Sequence, residues 1–559
     1  MSRRYLDQSG GLPIFAAVRA LRSRGYRSED LRADAVAGVI LGVVALPLSM
    51  ALAIAAGAPP EHGLFTAIVA GIVIAVSGGS MNSVSGPTAA FVVLLVPVVT
   101  DYGMAGLLVA TLLAGVIMIV MGLARLGRLI QFVPHPVTTG FTAGLAVVIA
   151  ILQLGDFLGL GRLEGERVWE RLADLSERVG EVGWGDVGIG VLTLAVMILW
   201  PRVTRRVPSP LVALVLATLA GLALAAAGTE VNTINSQFGG VPGGFPVPAL
   251  PWEVGGSLAW SDVTDLAPTA LAIALLGSIE SLLCAVVADG MAGGRHDPDA
   301  ELIGLGLGNV VAPFFGGFAA TGAIARTATG IRAGGRTPVA VVIHSLFLLV
   351  SMLALAPLLG YIPMSAMAAL LLVVAWNMSD ARHFARIMRI APRSDVLVLL
   401  VCFTLTVAFD MVVAVTVGVV LAAFLFMRRM VEISGATLIG GPEGHTVAGL
   451  PPGVVFYDVA GPLFFGAAEK ALEALTVVGQ GVHTVVMDLE DVPAIDATGL
   501  VALESTVSRL NGHGVKVVLS GVRPQPRRAL EKAGFRDEIG RLEITDNTDT
   551  TLDNLIRGR

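Results

Sequence analysis

The sequence predicts a polytopic α-helical membrane protein that carries a small α/β domain at its C-terminal end. Three observations carry that prediction. The 559 residues are 55% hydrophobic and only 14% charged, and the mean hydropathy is +0.79, values a soluble chain of this length rarely reaches. Uncharged stretches long enough to cross a bilayer core of about 30 Å recur at 35–60, 62–100, 102–124, 129–155, 207–229 and 337–379. After Met430 the character changes, and short β-rich runs alternate with helical patterns (454–459, 484–489, 498–510, 515–520), which suggests a βαβα domain with an open sheet.

The elements follow in order. Residues 1–33 are Arg-rich and polar and lack the pattern of a cleaved signal, so they are expected to form a cytoplasmic N-terminal segment. Breakers divide the apolar sequence into about fourteen segments, near 34–57, 62–78, 86–99, 104–124, 131–154, 185–200, 208–228, 266–288, 301–318, 322–332, 337–358, 363–379, 394–409 and 411–428. The transmembrane domain is thus expected over 34–430 and the cytoplasmic domain over 440–559. The segments at 86–99 and 322–332 are too short to span alone, and Gly- and Ser/Thr-rich sequence precedes each.

Loop charges test the count. With a cytoplasmic N-terminus, the arginines at 125 and 128, at 202, 205 and 206, at 382, 386, 389 and 393, and at 428 and 429 all fall inside. The loop near 229–265 has no Lys or Arg and falls outside, the positive-inside pattern. Both termini are then cytoplasmic and the lipid bilayer is the main partner.

A second regularity is an inverted repeat. Gly78-Gly79 closes one long segment and Ser85-Gly86-Pro87 opens the short one after it; about 235 residues later Gly316-Gly317 and Thr321-Gly322-Ala323 repeat the layout. Seven segments lie between the copies, an odd number that inverts the second, as in alternating-access carriers.

Few side chains here can do chemistry. Glu280 stands inside LAIALLGSIESLLCAVVA, and a carboxylate at membrane depth usually faces a cavity or a partner and marks an ion path; a structural, neutral or paired carboxylate is the alternative. Arg326 lies in GFAATGAIARTATG and offers a planar, permanently charged fork to an anion. Before it, Gly322 and Ala323 permit close backbone approach, and a half-helix start offers free N–H groups and a positive dipole end. The matching first-repeat start is Gly86-Pro87-Thr88, with proline suited to a first helical turn. Two such N-termini facing each other near the midplane would make an anion site without metal, and a buried Glu280–Arg326 ion pair is the bland alternative. Pro47 either exposes carbonyls to the same cavity or merely kinks its helix. His135 and His344 read as structural or interfacial, and Asp410 as a loop charge. Cys284 and Cys402, the only cysteines, lie in apolar segments and suggest neither a disulfide nor a zinc site. No cofactor, metal, nucleic-acid partner or enzymatic constellation is expected.

The stretches PLSMALA, SVSGPTAAFVV, GSIESLLCAVVADGM and TGAIARTATGIRAGGRTP resemble the signature segments of the sulfate permease (SulP) family of anion transporters, and VVMDLEDVPAIDATGL resembles a STAS domain. SAMAALLLVVAWNMS and GPLFFGAAE are especially similar to the bacterial aerobic C4-dicarboxylate branch. The resemblance implies a 7+7 inverted repeat of core and gate domains, an elevator-like motion, and a homodimer in the bacterial inner membrane. By motif it places Leu48, Leu52, Thr88, Ala89, Glu280, Cys284, Gly322, Ala323, Ile324, Ala325 and Arg326 at the substrate, with Glu280 coupling protons. The sodium-bicarbonate branch has hydroxyls where this chain has Cys284 and Ile324, a departure that favours the proton. Thr498 matches the phosphoacceptor of soluble STAS proteins, and a cytoplasmic partner of that domain would follow. The expected function is proton-coupled uptake of C4-dicarboxylates such as fumarate, succinate and aspartate. Bicarbonate or sulfate transport is the rival within the class; a channel and a membrane-anchored STAS scaffold are rivals outside it.

Overall fold

The computed structural model describes residues 14–557 apart from 129–133, 166, 205–206, 256–257, 410, 434, 441–449, 465–467, 469–471 and 473–480. The expected charge at Asp410 and the arginines at 205 and 206 lie outside the described residues. The chain divides into two compact units, Met1–Val419 and Val420–Arg559.

The first unit is helical. After a short α1 (Ala16–Arg24) come α2 (Ser28–Ala55), α3 (Pro60–Ser77), the two-residue strand β1 (Ser85–Gly86), α4 (Ala89–Leu123), α5 (His135–Leu152), α6 (Trp184–Val203) and α7 (Ser209–Ala226). The second half repeats the order with α8 (Ala267–Ala292), α9 (Pro298–Val311), β2 (Thr321–Gly322), α10 (Ile324–Arg332), α11 (Val339–Leu359), α12 (Met364–Ser379), α13 (Ala381–Ile390), α14 (Arg393–Ala408) and α15 (Met411–Ile433), within which the boundary between the units falls. Among the described residues nine helices are long and apolar enough to cross a membrane. The short segments of the sequence explain why others are not. α10 has nine residues, and α4 is two segments joined end to end, interrupted at Gly103 (φ 63°, ψ −161°). A left-handed residue cannot continue a right-handed helix, and glycine adopts it without steric penalty. With α4 counted as two, the described helices form the seven-plus-seven repeat.

Small residues let these helices approach closely. α9 is wedged between α3 and α4 by glycines on its two sides. A side chain at Gly304 would meet the Gly78 backbone at 2.4 Å, and one at Gly306 would meet the Gly115 carbonyl at 2.6 Å. α2 lies on α11 in the same manner, with Gly38 2.7 Å from the Ala340 carbonyl by this measure. These helices with α8 and α10 form one layer; α5 packs with α12 and α14, and α6 with α7 and α12, to form the second.

The second unit is a five-stranded sheet in the order β3 (Gly435–Gly440), β4 (Val454–Ala460), β5 (Thr484–Asp488), β6 (Lys516–Ser520), β7 (Leu542–Ile544). β3 pairs antiparallel with β4 and the remaining pairs are parallel. Among the described residues, helices α16 (Ala497–Gly512), α17 (Pro524–Lys532) and α18 (Thr548–Ile556) accompany it. Near-continuous Val-rich strands such as TVVMD are buried on both faces, as a parallel sheet requires.

Candidate functional site

The two repeats meet at their short strands. β1 and β2 pair antiparallel, with Ser85 opposite Gly322 and Gly86 opposite Thr321, so α4 and α10 start side by side from one two-stranded crossing. Backbone polar groups at such a depth have no water to bind and must be satisfied internally. The Ala323 N–H donates to the Val84 carbonyl at 2.8 Å, and the Val84 N–H donates to Thr327 Oγ1 at 2.9 Å. Asn309 secures the approach to β2, accepting from the Ala320 N–H at 2.8 Å and donating to its carbonyl at 2.9 Å. Thr66 does the same for Phe318, whose N–H it receives at 2.8 Å.

The side chains named from the sequence fall into three groups around this crossing. Arg326 is 3% exposed; its Nη2 donates to the Pro87 carbonyl of the opposite repeat, while Nε and Nη1 have no protein partner. Arg326, Ala325 and Leu48 line a cavity of about 730 Å³ between α2 and α10 on one side and α6, α7 and α12 on the other. Ile324 is 44% exposed beside them. Glu280, half-buried on α8, receives a long hydrogen bond of 3.4 Å from Thr88 Oγ1. Ala89 is buried at the start of α4, and Ala323 caps α10. The third group is enclosed. Leu52 belongs to the packed core, and Cys284 Sγ sits 3.1 Å from Thr327 Oγ1 and accepts from Ser83 Oγ at 3.7 Å. Gly322 faces Cys284 and Ser281 so closely that a Cβ would lie 3.0 Å and 3.1 Å from them.

Among the described residues no ion pair joins Glu280 to Arg326. Each finds a partner in the first repeat instead, Thr88 and Pro87 respectively. Cys284 and Cys402 are both free and buried. Pro47 sits within a helix that continues through it. His135 packs against His383 with ring centroids 5.2 Å apart, whereas His344 is fully buried and neither ring nitrogen has a protein partner.

Among the described residues five buried carboxylates, Asp30, Asp34, Asp186, Asp299 and Glu301, escaped sequence reasoning, and two of them tie distant parts of the chain together. Glu301 Oε2 accepts from the N–H groups of Gly79 and Ser80, both at 2.9 Å, tying α9 to the Gly78-Gly79 corner of the other repeat. Asp34 accepts from the Arg336 N–H at 2.7 Å and the Thr337 N–H at 3.2 Å. Both residues stand at the starts of apolar segments, where a charge draws no notice, and their partners lie more than two hundred residues away in sequence.

In the second unit Thr498 is exposed at the second position of α16, and Asp496 caps that helix by accepting from the Gly499 N–H at 2.8 Å.

A pair of inverted half-helices, an Arg-lined cavity and a five-stranded α/β unit have a known counterpart. Residues 31–402 match the sulfate permease family model and residues 447–553 match the STAS domain model. The chain belongs to the sulfate permease family. A putative sulfate transporter of Bacillus subtilis, YvdB, is 38% identical across 94% of this chain and 98% of its own length. The bicarbonate transporter BicA of a Picosynechococcus species is 30% identical across 95% of each chain. Among solved structures, the transmembrane domain of a cyanobacterial BicA superposes with a TM-score of 0.62 at 28% identity, covering 71% of this chain and 98% of that one. The murine anion transporter Slc26a9 gives 0.84 at 18% identity over 97% and 94%, a likeness of fold. This sulfate permease family member is a multi-pass membrane transporter of anions and not an enzyme.

Proposed function

We propose that this family member takes up C4-dicarboxylates together with protons, by an elevator-like movement of the α2–α4 and α8–α11 layer against the other. The observation that carries the reading is the cavity at Arg326. One guanidinium with two nitrogens not used by the protein meets walls made mostly of apolar side chains, Leu41, Val44, Leu48, Leu194 and Met197 among them, with Ser209, Thr329 and Asn377 as the polar exceptions. A compact, fully hydrated dianion would leave most of its oxygens without donors on such walls. A four-carbon dianion puts a carboxylate on the Arg326 fork and its carbon backbone on the leucines. The starts of α4 and α10 supply N–H groups and dipole ends to the same carboxylate.

Glu280 carries the proton. Its neighbour is a hydroxyl, not a cation, so its charged form lacks compensation at a depth where charge is expensive, and it loads a proton before the anion crosses. Sodium would require several oxygen ligands, and where the resemblance to the sodium-bicarbonate branch calls for hydroxyls this chain has Cys284 and Ile324. The STAS unit faces the cytoplasm of a bacterial inner membrane, as the loop arginines imply, with Thr498 as a phosphoacceptor whose charge would sit at the positive end of α16. The protein works as a homodimer, each chain with a transmembrane domain over 34–430 and a cytoplasmic domain over 440–559.

The second reading is sulfate or bicarbonate transport, which the relatives' names favour. Uptake of labelled fumarate, sulfate and bicarbonate into proteoliposomes under imposed proton or sodium gradients separates the two. Proton-driven fumarate accumulation supports the proposal. Fumarate left untransported while sulfate or bicarbonate accumulates would establish the second reading.

A further inference from the structure

The arginines that bring α13 to notice in the sequence play no part in the anion site. The chain leaves α12 through Asp380, a left-handed residue at φ 36° and ψ 49°, and enters α14 through Pro392. Neither conformation continues a helix, so α13 (ARHFARIMRI) is a separate element between two spans. At 100° per residue, Arg382, Arg386 and Arg389 fall within an arc of about 60°. Phe384, Ile387 and Met388 occupy the opposite side. The segment contains no Asp or Glu, and among the described residues none of these three arginines makes an ion pair. Nothing on α13 is buried: Met388 is 44% and Ile390 69% exposed, and Trp376 on the last turn of α12 is 72% exposed. Among the described residues α13 rests on protein where His383 meets His135 on α5 and where Phe384, on its apolar side, meets Phe403 on α14 at 5.6 Å, which leaves Met388 and Ile390 as its open apolar groups.

A soluble surface would not leave Met388, Ile390 and Trp376 in water beside a row of unpaired guanidinium groups. A bilayer surface satisfies both. Apolar side chains enter the acyl boundary, arginines remain among the headgroups, and tryptophan settles at the same level. Negative headgroups complement three positive charges that have no acidic neighbour on the helix. Because α13 joins α12, which walls the anion cavity, to α14, its seating would fix where those two spans stand.

We infer that α13 is an interfacial helix whose Arg382, Arg386 and Arg389 bind the headgroups of anionic phospholipids. The proposal is independent of which anion the protein carries. The attraction is electrostatic, so each arginine contributes about fivefold to the preference for anionic over neutral lipid at low salt.

The test uses the full chain in nanodiscs of phosphatidylcholine containing a minor fraction of phosphatidylglycerol. Phosphatidylglycerol retained on the protein is read by native mass spectrometry, and folding by thermal unfolding. The set Arg382→Gln, Arg386→Gln, Arg389→Gln should unfold at the wild-type temperature yet lose at least about tenfold in retained phosphatidylglycerol. Replacing the same three by lysine should keep the lipid, and a glutamine set at Arg523, Arg536 and Arg541 in the STAS unit should keep it too. Wild-type retention by the first glutamine set overturns the proposal. So does equal loss in the lysine set, which would make shape rather than charge the cause, or equal loss in the STAS set, which would make it net charge.

Discussion

The two halves of the anion site share a backbone design and differ in chemistry. Each repeat closes a long helix on a Gly-Gly corner, crosses through a two-residue strand, and starts a half-helix beside its twin. The backbone symmetry brings two helix N-termini together. The side chains then divide the work. The first repeat supplies the Pro87 carbonyl and the Thr88 hydroxyl, both of which contact groups of the second. The second supplies the two ionisable groups, Arg326 and Glu280. An anion held between them therefore touches a fixed charge from one repeat and mostly backbone from the other. Binding and coupling can accordingly be broken separately.

The largest effect should come from the charged half. Arg326→Ala removes the guanidinium that, among the described residues, alone lines the cavity, and uptake efficiency (kcat/KM) should fall roughly 100-fold, as expected when a hydrogen bond to a charged group is lost. Arg326→Lys keeps the charge without the planar fork and should recover only part of it. Kinetics of labelled substrate uptake read both.

The paired strand glycines sharpen the contrast. A side chain at Gly322 meets the Ser281 backbone, whereas one at Gly86 meets the Arg326 Nη1 at 2.7 Å. Gly322→Val should therefore destabilise the fold by about 1–3 kcal/mol, visible as a lower unfolding temperature in detergent. Gly86→Ala should leave that temperature nearly unchanged and raise KM about tenfold by displacing the guanidinium. If the two variants behaved alike, the asymmetry between repeats would be wrong.

The threonines should differ in the same direction by less. Thr327→Val leaves the buried Val84 N–H without its acceptor, at about 1–3 kcal/mol of stability. Thr88→Val removes a single long bond to Glu280 and should change the proton dependence of uptake by no more than about fivefold, with the unfolding temperature held.

Much of this arrangement was legible in the sequence, and the limits have a physical cause. Uncharged runs and glycine corners are local, so the fourteen segments, the two short ones among them, could be located, including the break within α4 that Gly103 makes. Arg326 and Glu280 stood out because charge is rare inside spans. Their partners did not stand out. An ion pair between them was one reading of the sequence, but the crossing offers Arg326 a carbonyl 239 residues away. Glu301 and Asp34 were missed for the same reason, since a carboxylate near a span end looks solvated until the corner it caps is known. In the second unit the Val-rich β4, β5 and β6 and the helix α16 were legible, whereas the antiparallel β3, the three-residue β7, α17 and α18 were not, because short or edge elements carry little apolar pattern.

The central claim is that the anion rests on Arg326 while the proton travels on Glu280. Proteoliposomes with wild type and Glu280→Gln, assayed for both fumarate counterflow and proton-driven fumarate accumulation, test it most directly. The account predicts that Glu280→Gln keeps counterflow, because the Arg326 cavity is untouched, and loses accumulation driven by the proton gradient. Accumulation by Glu280→Gln at the wild-type level would contradict it.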